Sequence, residues 1–140
     1  MKVRIGLTFF SIIYLLNAAV GTLIALRRNL SADFGGFFRG QGTFASFALK
    51  GTALSAPLVL LIIQLTLTLL IWSGHRAGRL AQTSLAVLGG VYFIGQLGEP
   101  LLWQTLRSSP LQVILLVVLA LNLALPVGLL LFGMAARKTA

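Results

Sequence analysis

The chain has no cysteine, one histidine (His75) and only two acidic residues, Asp33 and Glu99, among its 140 residues. Each shortage excludes a chemistry. Without a thiol, this chain supplies no disulfide exchange, iron–sulfur ligation, thiolate zinc site or cysteine nucleophile. One imidazole completes neither a bis-histidine haem site nor a three-ligand zinc site. No cofactor or metal is therefore expected. There is no Ser-His-Asp set and no phosphate-binding loop. The two carboxylates fall in different connections and meet only if the long first connection folds back over the rest. The balance leans away from an enzyme.

Charge is missing in a patterned way. Ile5–Leu26, Gly51–Gly74, Leu80–Gly98 and Ser108–Ala136 contain no charged residue. At about 1.5 Å of rise per residue, each run as a helix reaches across the roughly 30 Å hydrocarbon core of a bilayer. A helix also satisfies its own backbone hydrogen bonds where there is no water to do so. The expectation is an all-α polytopic membrane protein. Its four-helix transmembrane bundle has spans at about 5–26, 54–73, 80–98 and 111–133, in a single domain covering 1–140. The connections are too short for an independent core, because isolated domains below about 40 residues usually need disulfides or metals. The basic start before a 22-residue apolar run resembles a secretory signal, but a signal core spans about 7–15 residues, so the run is read as a retained first span.

What the chain does carry is basic charge, apolar bulk and aromatics in one loop. Eleven Lys and Arg give a net charge of +9, and 58% of residues are hydrophobic. The basic residues sit at span ends, where each gains about 1 kcal/mol against anionic headgroups. The expected partners are an anionic bilayer surface, with partner membrane subunits or a homo-oligomer, and no nucleic acid. Six basic residues (Lys2, Arg4, Arg76, Arg79, Arg137, Lys138) fall on one side and five (Arg27, Arg28, Arg39, Lys50, Arg107) on the other. The positive-inside rule thus tips both termini to the cytoplasmic face of the cell membrane, aided by a short basic turn at 73–79. So even a count also fits a dual-topology antiparallel dimer.

The first connection, 27–50, holds Phe34, Phe37, Phe38, Phe44 and Phe47 among several glycines. Phe44, Phe47 and Ala48 share a helical face flanked by Arg39 and Lys50, which suits a short helix lying in the membrane interface. A glycine-rich lid or a partner surface are the alternatives. Pro57 either opens the second helix or sits in a first turn that begins near Gly51. Pro110, behind Ser108-Ser109, suits the start of the fourth helix. Asn29-Leu30-Ser31 matches a glycosylation sequon but lies close to the membrane.

Two groups of residues are candidates for a site. The first is a neutral polar layer at mid-membrane: Asn17, Gln64, Asn122 and Pro126, opposite Gly89-Gly90. Proline cannot donate to the carbonyl four residues earlier, so Pro126 frees the Asn122 oxygen. The layer is read foremost as interhelical glue, since such bonds average about 0.6 kcal/mol and often only specify packing. The second reading is a polar path for a solute or ion. The other group is Tyr92, Gln96, Glu99 and, further on, Arg107, near one interface. An unbroken helix lines up Tyr92, Gln96, Glu99 and Trp103. Pro100 opposes that continuity and favours Glu99 at the head of a short interfacial helix spanning 100–107. There Glu99 is expected as a structural carboxylate paired to Arg107 or to a neighbouring loop.

No Asp, Glu, Lys, Arg or His lies at the centre of a span, which disfavours proton-coupled pumps and exchangers. The function expected is a non-enzymatic subunit or scaffold of a membrane assembly. A small oligomeric transporter or channel with a neutral mid-membrane site is the first alternative, and a membrane-embedded enzyme acting on lipid the second.

Overall fold

The computed structural model describes residues 1–33, 44–108 and 112–138, without the side chains of Phe44, His75, Arg137 and Lys138. The described residues are all-helical with no strand. In chain order the helices are α1 (Lys2–Arg28), α2 (Phe44–Lys50), α3 (Leu58–Leu70), α4 (His75–Leu97), α5 (Pro100–Arg107) and α6 (Val113–Lys138). Three helices, α1, α4 and α6, are long and apolar enough to cross a membrane. At 13 residues, α3 extends only about 20 Å, short of the roughly 30 Å a complete span needs.

Helix α6 lies against both α1 and α4, the two most extensive pairings, and α3 packs on α1 and α4. Close approach is possible where side chains are small: a Cβ on Gly89 of α4 would lie 2.6 Å from the Pro126 carbonyl oxygen of α6. Gly90 meets nothing, so only the first glycine of the pair serves the contact. Leu7, Leu85 and Leu129 fill one end of the core, and Leu54, Leu115 and Leu119 the other. The outside is equally apolar, with Phe9, Leu23, Ile62, Leu69, Ile94 and Leu131 exposed. An apolar core inside an apolar exterior suits a hydrocarbon surround, because packing then replaces lipid contacts by protein contacts of similar polarity.

The ends of the helices depart from the sequence expectation in instructive places. The polar turn expected over 73–79 shrinks to Ile71–Gly74, because His75–Arg79 are already the first turn and a half of α4. Arg76 and Arg79 are exposed there and arginine is a good helix former, so the basic cluster does not stop the helix. The span expected over 54–73 is helical only from Leu58 to Leu70, with Pro57 as its N-cap. Pro57 disfavours helical geometry at Ala56, and the chain from Gly51 to Pro57 is an irregular turn instead. The alternative of a helix beginning near Gly51 does not form.

α1 ends in a left-handed cap at Asn29 (φ 52°), where the Leu30 N–H donates to the Ala25 carbonyl at 2.8 Å. The chain then pairs Ser31 with Thr52 across a single β-bridge. α2 is helical as its spacing predicts, and Phe47 is buried rather than facing outward. The loop aromatics Phe34, Phe37 and Phe38, Arg39, and Pro110 with Ser109 lie outside the described residues.

Candidate functional site

The neutral polar layer divides into two separate clusters. In the first, the Asn17 amide of α1 donates to the Asn122 Oδ1 of α6 at 2.8 Å and to the Val118 carbonyl at 3.2 Å. Asn122 in turn donates through Nδ2 to the Leu54 carbonyl at 2.9 Å. In the second, Gln64 of α3 donates to the Ser11 carbonyl and hydroxyl oxygens of α1 at 3.1 and 2.9 Å. The Ser11 and Thr68 hydroxyls meet at 2.6 Å. Pro126 is fully buried, with its carbonyl oxygen against Gly89 of α4. Ser11 and Thr68 escaped the sequence reading. The i, i+4 placement of Gln64 and Thr68 on one helical face was the available signal.

Leu54 belongs to the irregular turn, so the Asn122 bond shows how deep that turn goes. Gly21 of α1 faces it, and a Cβ there would run into the Leu54 carbonyl oxygen. Gly21 lies seven residues inside Arg28, which sets the Leu54 carbonyl about 10 Å below the basic end of α1. Non-helical backbone at such depth is tolerated only when its polar groups find partners in the protein. They do here. The Gly51, Thr52, Ala53 and Ser55 amides donate to the carbonyls of Phe47, Ser55, Leu30 and Thr52. The Leu54 amide reaches the Thr52 hydroxyl at 3.4 Å. Gly51 turns the chain with φ +79°, a conformation that a Cβ opposes.

Beside this turn, between the start of α3 and the last turns of α4, lies a cavity of about 170 Å³. Its polar wall is formed by Thr52, Ser55, Tyr92, Gln96 and Glu99; Tyr14, Pro57, Leu60 and Val91 supply apolar surface. The Tyr14 and Tyr92 rings stack with centroids 4.7 Å apart, and the Tyr92 hydroxyl donates to the Leu60 carbonyl at 3.1 Å. Val91 is half exposed, so the cavity is reached from the apolar flank of the bundle.

Glu99 is the N-cap residue of α5, as the alternative reading of Pro100 expects, and is only 4% exposed. Its Oε2 accepts the Asp33 backbone N–H at 3.3 Å. The described start of the first connection thus brings Asp33 to Glu99. Burial pushes the Glu99 carboxyl above the ordinary carboxylate value. The Asp33 amide opposes that shift, the Asp33 charge adds to it, and the Leu101 amide opposes it. Arg107 is exposed at the far end of α5 and does not line the cavity. Tyr92, Gln96 and Glu99 therefore come together, and Arg107 does not join them. The Gln96 Nε2 is buried without a hydrogen-bond partner. Tyr14, Thr52 and Ser55 were missed in the sequence, since nothing local marks the segment before Pro57 as a turn folded against α4.

Among the described residues no group of three His, Asp or Glu side chains is placed to hold a metal. Comparison of the chain with family models, with curated proteins and with solved structures found no match.

Proposed function

We propose that the protein is a multi-pass integral membrane protein of the cell membrane that serves as a non-enzymatic subunit or scaffold of a membrane assembly. In this reading four segments cross the bilayer, α3 completing its crossing with the buried turn 51–57, and α2 and α5 lie at one interface. Both termini face the cytoplasm, in line with the six-to-five division of basic residues. The observation that carries the reading is the state of the mid-depth amides. Asn17 and Asn122 bond to one another and to backbone, and Gln64 binds Ser11, so this polar layer ties helix to helix. Extraction in mild detergent followed by mass measurement tests it. A co-purifying partner or a homo-oligomer is expected; a lone, monodisperse monomer overturns it.

A small oligomeric transporter is the second reading, favoured by the interrupted third segment. Broken helices in transporters commonly frame a binding site, because irregular backbone at depth lines a cavity. Solute flux in proteoliposomes that falls in Glu99→Gln and Gln96→Leu would support it; flux indifferent to both would count against it. A lipid-modifying enzyme draws less support, because Arg107 stands away from Glu99.

A further inference from the structure

We propose that the cavity beside the 51–57 turn binds a primary ammonium group of the aminoethyl type, the nitrogen seated against the Glu99 carboxylate and a neighbouring ligand oxygen accepting from the Gln96 amide. Three observations on different groups carry this. The Glu99 carboxyl is almost fully buried, and among the described residues its hydrogen-bond partner is a backbone amide, with no basic side chain bonded to it. A buried carboxyl is neutralised by a proton or paired with a cation, and an ammonium seated here would take the place of that proton. Among the described residues the buried Gln96 Nε2–H finds no acceptor, and an oxygen on the ligand would supply one. Thr52 and Ser55 bring hydroxyl oxygens to the same wall, suited to the remaining N–H donors of a primary amine.

Size narrows the ligand. A cavity of about 150 Å³ holds a benzene-sized molecule, so about 170 Å³ takes a headgroup fragment and not a whole amphiphile. Tyr14 and Tyr92, stacked on each other in the lining, add aromatic surface for a cation. An ammonium beside an ester oxygen is the pattern of an ethanolamine phospholipid headgroup, and the apolar approach past Val91 leaves its chains in the bilayer. Free ethanolamine carries the same chemistry with a hydroxyl oxygen. This site is independent of whether the protein acts as a subunit.

The test uses the full chain in nanodiscs with ethanolamine- or choline-headgroup phospholipids of identical acyl chains, reading retained lipid by native mass spectrometry. At least tenfold preferential retention of the ethanolamine lipid is expected. Glu99→Gln should abolish the preference and Gln96→Leu should reduce it severalfold, while Arg107→Gln leaves it intact. Free ethanolamine, titrated by calorimetry against protein in choline lipid, separates the sources. Binding of free ethanolamine without lipid preference assigns a soluble amine, and lipid preference without such binding assigns the phospholipid. Equal retention of both lipids together with no free-ethanolamine binding overturns the proposal. So does a preference that survives in both Glu99→Gln and Gln96→Leu. Helical circular dichroism of each variant guards against loss of fold.

Discussion

Asn122 joins three segments with one side chain: it accepts from Asn17 of α1 and donates to the Leu54 carbonyl of the turn. Asn122→Leu removes the donor to the buried Leu54 carbonyl and one of the two bonds of the Asn17 amide, whereas Asn17→Leu leaves the bond to Leu54 in place. Asn122→Leu is therefore expected to lower stability by about 1–3 kcal/mol and Asn17→Leu by less, the two effects falling short of additive. Reversible unfolding in mixed micelles measures both. Glu99 makes a prediction of opposite kind. Its folded-state carboxyl titrates above the ordinary 4.5, so the folded protein holds that proton at pH values where the unfolded chain has released it. Stability should then fall as pH rises from 4.5 through the raised value, to which burial contributes most and the Asp33 charge adds. Glu99→Gln, neutral throughout, should flatten the decline. An unchanged slope in the variant would place its origin elsewhere.

The elements were legible in the sequence to the extent that their boundaries follow from local rules. Uninterrupted apolar runs marked α1, α4 and α6, and Pro100 marked the break that makes Glu99 a cap. The turn at 51–57 was not legible, because Thr52-Ala53-Leu54-Ser55-Ala56 carries no charge and differs little in composition from a buried helix. What makes it irregular is tertiary: the bridge to Ser31, the Asn122 bond and the space left at Gly21. The cavity was half legible, since Tyr92 and Gln96 share a helix face but Thr52 and Ser55 arrive from that turn. Gly51 is the element's hinge in the conformational sense, holding φ +79° with the Ser55 carbonyl 2.7 Å from where a Cβ would stand. Gly51→Ala should cost about 1 kcal/mol or more through backbone strain alone. In a chain with no native cysteine, Leu54→Cys should resist a membrane-impermeant maleimide while Lys50→Cys reacts. Labelling of Leu54→Cys in the Gly51→Ala background would report the turn leaving its place.

At the scale of the molecule, one short helix decides how many times the chain crosses the bilayer. α3 alone spans about two thirds of the hydrocarbon thickness. Its N-terminus, however, continues into a turn whose amides from residue 51 to residue 55 are all bonded and whose far side reaches Thr52 and the end of α1. Turn and helix together run alongside α1 from the Ser31–Thr52 bridge beyond its C-terminal end, past Leu54 against Gly21, to the Trp72 indole, which reaches the Thr8 hydroxyl at 3.1 Å. That parallel course predicts an even number of crossings. Single cysteines at Lys2 and Ser73 should then label from one side of sealed vesicles, and those at Leu49 and Gln104 from the other. If α3 instead lay without crossing, Ser73 would label with Leu49 and Gln104 with Lys2. That exchange of partners, read without background in a cysteine-free chain, separates four crossings from three in one experiment.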